Sequence, residues 1–195
     1  CQECGRQFPL VGSYYLRLPS RKKATKTGAA FDDPGQSFYL DADAETGEFR
    51  VVVHDGPPRR TPTLARPPEQ HRSSSKGKSA ICPFCGHVHD KEVHRRVAQE
   101  GLGPDALLVV ADHDDLVGKS YREPLMSEQV AVVKSVSALA GEPAFTPVLP
   151  AVPHEGIAVG NSSVIQPSAY GARTYGDLMI PRQTLSFVRL ARTIE

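Results

Sequence analysis

Tryptophan is absent from the 195 residues, and aromatic side chains make up only 7%. Hydrophobic residues total 39%, below the roughly 45–50% usual for soluble domains. A modest core with long connections is therefore expected, and 16 glycines and 17 prolines point the same way. Neither sign of charge dominates: 23 Lys+Arg stand against 22 Asp+Glu, net +1. That balance excludes a strongly basic nucleic-acid glue and an acidic solvating tail as descriptions of the whole chain. No apolar run approaches the ~18–20 residues that a membrane helix needs, so no membrane partner is expected. Also missing are a glycine-rich dinucleotide fingerprint, a phosphate-binding P-loop and a Gly-x-Ser-x-Gly elbow. The Pro-Pro pairs, Gly56-Pro57-Pro58-Arg59 and Arg66-Pro67-Pro68-Glu69, do not form the Asp/Asn-Pro-Pro-aromatic loop of a base-amine methyltransferase. The chain by itself displays no catalytic constellation.

Four cysteines are present, in two copies of one pattern, CQECG and CPFCG. Two residues between thiols let one tight turn aim both sulfurs at a single ion. Gly5 and Gly86 permit the left-handed backbone that closes such a turn, and Pro83 presets φ inside the second. Cys1, Cys4, Cys82 and Cys85 are thus the predicted ligands of a structural Zn2+. The two pairs are separated by 77 residues, far more than the roughly 15–20 of a simple ribbon, so a large insertion is implied. A pair of disulfides and a redox dithiol are the alternatives. The first needs an oxidising compartment, and the second uses one pair in a βαβ setting. Cys1 in place of a starting Met reads as a processed chain or a piece of a longer one. A lipidated N-terminus would use one thiol of a matched set and strand three. His87, His89 and His94 follow the second pair. His87 can replace a thiolate or orient one from outside the shell, or all three are surface histidines. The DHDD run at Asp112–Asp115 reads as a hydrated acidic turn or a divalent-cation loop.

The predicted organisation is α+β: a zinc ribbon with a large β-rich insertion, followed by short helices and a C-terminal helix. Phe8–Leu18 is β-prone, and residues 19–36 read as a basic loop. Ser37–Leu40 and Glu48–His54 read as a hairpin across the turn DADAETG. Residues 57–78, with six basic side chains against one acidic, read as a flexible loop. A helix is predicted at Asp90–Gln99 with Asp90 as its cap, and a buried strand at Ala106–Ala111. Ser127–Ala140 is a second helix with a Val132/Val133/Val136/Leu139/Ala140 stripe. A last helix is opened by Pro181, with Phe187, Leu190, Ala191 and Ile194 as its apolar stripe. A Pro-rich connection covers 141–168. These elements divide the chain into a ribbon domain at 1–111, a helix and its connection at 112–169, and a closing segment at 170–195.

Three landmarks carry a resemblance. CQECGRQFPLVGSYYLRLPSRKK resembles the start of the zinc-ribbon segment in the large adenine-specific DNA methylases of bacteria and archaea. AICPFCGHVHDKEV sits where that family has its second ribbon cysteines. Tyr170, Gly171, Thr174, Tyr175, Gly176, Asp177, Leu178, Pro181, Arg182 and Gln183 are similar to its Tyr-Gly-x-x-Thr-aromatic-Gly-Asp-Leu-x-x-Pro-Arg-Gln run. The resemblance implies an insert between two catalytic halves of an S-adenosylmethionine-dependent enzyme that methylates the exocyclic amine of adenine in double-stranded DNA. On that reading 170–195 leads back into a catalytic half. The resemblance further implies a cytoplasmic setting in restriction-modification or phage defence, with the flanking methyltransferase halves and defence proteins as expected partners. Only the four cysteines carry over, as metal ligands. The insert itself is net +4 over residues 1–80 and net −3 over 81–195. Arg21, Lys22, Lys23, Arg59 and Arg60 are therefore expected to contact phosphates without sequence preference. Arg182 and Gln183 either contact DNA or a catalytic half, or make local bonds at a helix start. The rival expectation is a zinc-stabilised protein-interaction module with no nucleic-acid role.

Overall fold

The structure, a computed structural model, describes residues 1–23, 30–66, 78–100, 105–157 and 167–194. These residues form a mixed α+β structure, with small antiparallel sheets and three α-helices. Two compact units emerge: Cys1–His94 with Leu107–Pro124, and Arg95–Ala106 with Leu125–Glu195.

In the first unit the cleanest alternation builds the core. Strands β1 (Tyr15–Arg17), β4 (Gln36–Ala42) and β5 (Phe49–Asp55) form a sheet in the order β1-β4-β5. Register pairs Phe38 with Val53 and Leu40 with Val51, so one face of the sheet is apolar. Tyr14, Phe38 and Leu40 are buried on it, with Val11, Leu16, Phe49, Leu108 and Val109 packed around them. The Tyr14 and Phe38 rings meet edge to face at 4.9 Å. The expected hairpin is therefore present, its first strand reaching one residue earlier and two later than read from the sequence and its second displaced by one.

The basic stretch 19–36 is not a loop where it is described. β2 (Ser20–Lys23) pairs with β3 (Ala30–Asp33), Ser20 opposite Asp33 and Lys23 opposite Ala30. Pairing depends on a partner strand, which a run of cations does not reveal. The Asp33 carboxylate is buried and accepts two 2.8 Å bonds from Arg17. It also accepts from the Gly35 N–H at 2.9 Å. Gly35 has φ +77°, and a Cβ there would lie 2.5 Å from the Arg17 carbonyl oxygen, so no side chain fits.

A further correction concerns 106–111. The strand β9 is Val110–Asp114, paired with β10 (Gly118–Arg122). Leu108 and Val109 instead pack on the core. The Gln36 side-chain amide fastens this hairpin, accepting from the Tyr121 N–H at 2.9 Å and donating to its carbonyl at 3.3 Å. The segment after β5 is also more ordered than a flexible loop as far as Arg66. Thr63 is buried, and β6 (Leu64–Ala65) joins β7 (Ser79–Ile81) and β8 (Val88–His89) in a three-stranded sheet. Residues 67–77 of that predicted loop lie outside the described residues, as do 158–166 of the Pro-rich connection.

Helix α1 (Lys91–Glu100) begins as expected at Asp90, whose carboxylate accepts from the Val93 N–H at 2.9 Å. In the second unit, α2 (Met126–Ala140) starts where Glu128 accepts from the Leu125 N–H at 2.7 Å and ends at Gly141. α3 (Pro181–Ile194) opens on its proline. The two helices share contacts, and Glu142 holds Arg189 at 3.0 Å and Arg192 at 3.4 Å. Their buried faces differ from the predicted stripes. α2 buries Val132 and Ser135 and exposes Val133 and Val136, whereas α3 buries Thr184 and Val188. Phe187, Leu190, Ala191 and Ile194 face outward. Both helices are apolar on more than one side, so periodicity alone does not choose the inward face.

Candidate metal centre

The two Cys-x-x-Cys-Gly turns close with the same bond. Gly5 N–H donates to the Cys1 carbonyl at 2.8 Å, and Gly86 N–H to the Cys82 carbonyl at 3.0 Å. Both glycines are left-handed, at φ +69° and +74°. The second turn caps the β7–β8 hairpin, whose ladder is extended by the Cys82 N–H donating to the His87 carbonyl at 2.9 Å. Among the described residues the first turn adjoins no strand. Buried Thr63 secures the chain that follows it: its hydroxyl donates to the Pro9 carbonyl at 2.6 Å and accepts from the Val11 N–H at 2.8 Å. The Thr63 carbonyl in turn accepts from the Ile81 N–H at 2.7 Å, one residue before Cys82. One threonine therefore ties both cysteine segments together. Arg6 adds a contact between the turns, its guanidinium 5.5 Å from the centre of the Phe84 ring.

These ties bring all four sulfurs within 4.8 Å of one another. Two of the approaches run between the turns, Cys1 to Cys85 and Cys4 to Cys82, each 3.7 Å. A bonded disulfide would need about 2.05 Å. An ion bound by four thiolates at about 2.3 Å gives a tetrahedral edge of about 3.8 Å, which these separations match. The tetrad can hold a metal ion. Cys82 is buried, Cys1 and Cys4 partly so, and Cys85 is exposed. Burial pushes the Cys82 thiol up to about 11, while the Arg6 backbone N–H holds Cys4 below the usual thiol range. A cation among the sulfurs would reverse the first effect, because it favours every thiolate.

The predicted histidines divide. His89 is buried on β8, with Nε2 3.3 Å from the Cys1 sulfur. Burial first, then the neighbouring His87, depress its pKa. His87 is exposed and sets its ring against that of His89 at 4.6 Å. His94 is buried on α1. In the DHDD run, Asp112 pairs with Arg122 at 2.6 Å and Asp114 accepts from the Leu116 and Val117 N–H groups. Among the described residues the cysteine tetrad is the only cluster of three or more such donors that converges.

The predicted phosphate contacts lie on two separate elements. Arg21, Lys22 and Lys23 stand on β2, with Arg21 exposed; the Lys22 and Lys23 side chains are outside the described set. Arg59 is exposed after β5. Arg60 is already engaged: it bonds Asp41 at 3.1 Å and the Leu40 carbonyl at 3.2 Å, and lies 4.7 Å over the Tyr39 ring. Gln183 accepts from the Ile180 N–H at 3.3 Å at the start of α3, and Arg182 is exposed. Sequence reasoning missed Thr63 altogether, since a single threonine in a Pro- and Arg-rich stretch gives no signal of a clamp. No family model, no curated protein and no solved structure matches the chain.

Proposed function

We propose that the tetrad binds one Zn2+ and makes a ribbon-type structural centre that fastens two chain segments 77 residues apart. The observation that carries this reading is the pair of 3.7 Å sulfur separations, each one edge of a zinc-thiolate tetrahedron. Four thiolates fill the shell, so the ion has no open position for water or substrate, and its work is to hold the fold. Thiols kept reduced for metal suit a cytoplasmic setting.

We further propose that this zinc-fastened module is the insert of an S-adenosylmethionine-dependent adenine-specific DNA methyltransferase acting in restriction or phage defence. The order of the two cysteine turns and the Tyr170–Gln183 run supports it. The module's part is non-specific phosphate contact by Arg21, Lys22, Lys23 and Arg59; the flanking catalytic halves supply cofactor and chemistry. Arg60, held by Asp41 and Tyr39, contributes to the positive surface only as a paired charge. Binding of the full chain to a double-stranded DNA of mixed sequence, measured from low to high salt, tests this. Reversing Arg21, Lys22, Lys23 and Arg59 to Glu should weaken binding at every sequence and flatten the salt slope. Unchanged affinity and slope would refute the DNA role.

A second reading, a protein-docking module, is favoured by the outward apolar side chains of the second unit. Met126 is 74% exposed, Val133 73% and Ile194 78%. Charge reversal that leaves DNA binding untouched would favour this reading.

A further inference from the structure

The buried His89 side chain lies against the sulfur cluster, and the proposed shell of four thiolates gives it no role. We propose that His89 is a positioning residue for Cys1: its Nε2–H donates to the Cys1 thiolate and holds that sulfur toward the ion. The proposal rests on the metal reading above.

Three observations carry it. His89 is fixed by its backbone, paired with Ala80 inside the β7–β8 ladder, and only 6% exposed. Its Nε2 lies 3.3 Å from the Cys1 sulfur, across from the other cysteine turn. The exposed His87 ring packs against it edge-on, restricting its rotation. A metal-bound thiolate has lone pairs and no proton, so the hydrogen in this contact belongs to the imidazole. In the neutral ring a proton on Nε2 leaves Nδ1 as the acceptor.

The need for such a bond is local. Cys1 lies in the turn that stands outside the described strands, and the sulfur 3.7 Å from its own belongs to the exposed Cys85. A donor on the rigid hairpin limits the rotation of Cys1, withdraws part of its thiolate charge, and covers this side of the centre. His89 does not itself complete the shell, because four sulfurs already occupy the tetrahedron.

The test uses the full chain with His89→Leu and His89→Gln, the second keeping an N–H donor near the Nε2 position. Zinc affinity is read by competition with a chromophoric chelator, and the ligand set by the absorption of the Co2+-substituted chain. We expect one ion per wild-type chain with an all-sulfur cobalt spectrum. His89→Leu should bind zinc about 10-fold more weakly and expose Cys1 to faster alkylation, in line with the loss of outer partners at other metal sites. His89→Gln should recover most of both. A His89→Leu chain within twofold of wild type on both readouts would overturn the proposal while leaving the tetrad intact. So would a wild-type cobalt spectrum with one nitrogen ligand that disappears in His89→Leu, since His89 would then be a ligand. A wild-type chain that takes up neither metal overturns the tetrad reading itself, and this proposal with it.

Discussion

The two cysteine turns share a sequence pattern, a closing hydrogen bond and a left-handed glycine, yet they are held by different means. Cys82–Gly86 caps a paired hairpin and contains the buried thiol. Cys1–Gly5 is fastened from outside, by Thr63, Arg6 and the facing sulfurs. A local hairpin forms from neighbours in sequence, whereas the first turn depends on contacts made across more than fifty residues. The first turn should therefore be the part of the centre that comes loose when anything is removed.

Removing the ion should have the largest effect, since a structural zinc contributes on the order of 10 kcal/mol in small domains. With chelator, amide exchange at Gly5 should accelerate far more than at Cys82 and Gly86, which keep the hairpin ladder. Equal acceleration at both turns would erase the distinction. Next in size is Thr63→Val, which keeps the side-chain shape and strands the Pro9 carbonyl and Val11 N–H. About 2–3 kcal/mol of unfolding free energy should be lost by denaturant titration, with Thr63→Ser losing much less. A loss below about 0.5 kcal/mol would show that the clamp is not needed.

Acid sharpens the comparison. Every thiol must lose its proton to bind the ion, and Cys82, raised to about 11 by burial, holds its proton across the ordinary range. Below that pKa its share of zinc affinity falls about tenfold per pH unit, so affinity rises as pH rises. Cys4, lowered by the Arg6 N–H, gives up its proton more readily. Above the lowered pKa of Cys4 it is Cys82 that still carries its proton, so there Cys82→Ser should flatten the pH dependence of zinc binding more than Cys4→Ser. The reverse order would contradict the burial argument. Gly5→Ala and Gly86→Ala should each cost about 1 kcal/mol, because nothing lies within 4 Å of either added Cβ and only the left-handed backbone resists. Smallest is Arg6→Ala, about 0.5 kcal/mol for an outlying cation over Phe84. A loss as large as that of Thr63→Val would move the main tie to Arg6.

What was legible in the sequence follows the range of the interactions. The tetrad was readable because each half of it is a local turn with its glycine in place. The β4–β5 hairpin, the Asp90 cap and the Pro181 start were readable for the same reason. The β2–β3 hairpin was missed because its cations pair with a strand beyond them, and β9 because its apolar lead, Leu108 and Val109, packs on the core without pairing. The stripe on α3 was misplaced because Phe187, Leu190 and Ile194 repeat at helical spacing as well as the buried pair Thr184 and Val188 do. Thr63 and the reach of His89 to Cys1 are properties of the assembled site, in contacts spanning 54 and 88 residues.

The central claim is that sulfurs from both turns converge on a single tetrahedral ion. X-ray absorption at the zinc edge of the purified full chain, with metal content and thiol count on the same sample, tests it most directly. The account predicts one zinc per chain, four sulfur neighbours at about 2.3 Å, and four free thiols after the metal is removed. Two disulfides and no metal, or a zinc whose neighbours are mainly nitrogen and oxygen, would contradict it.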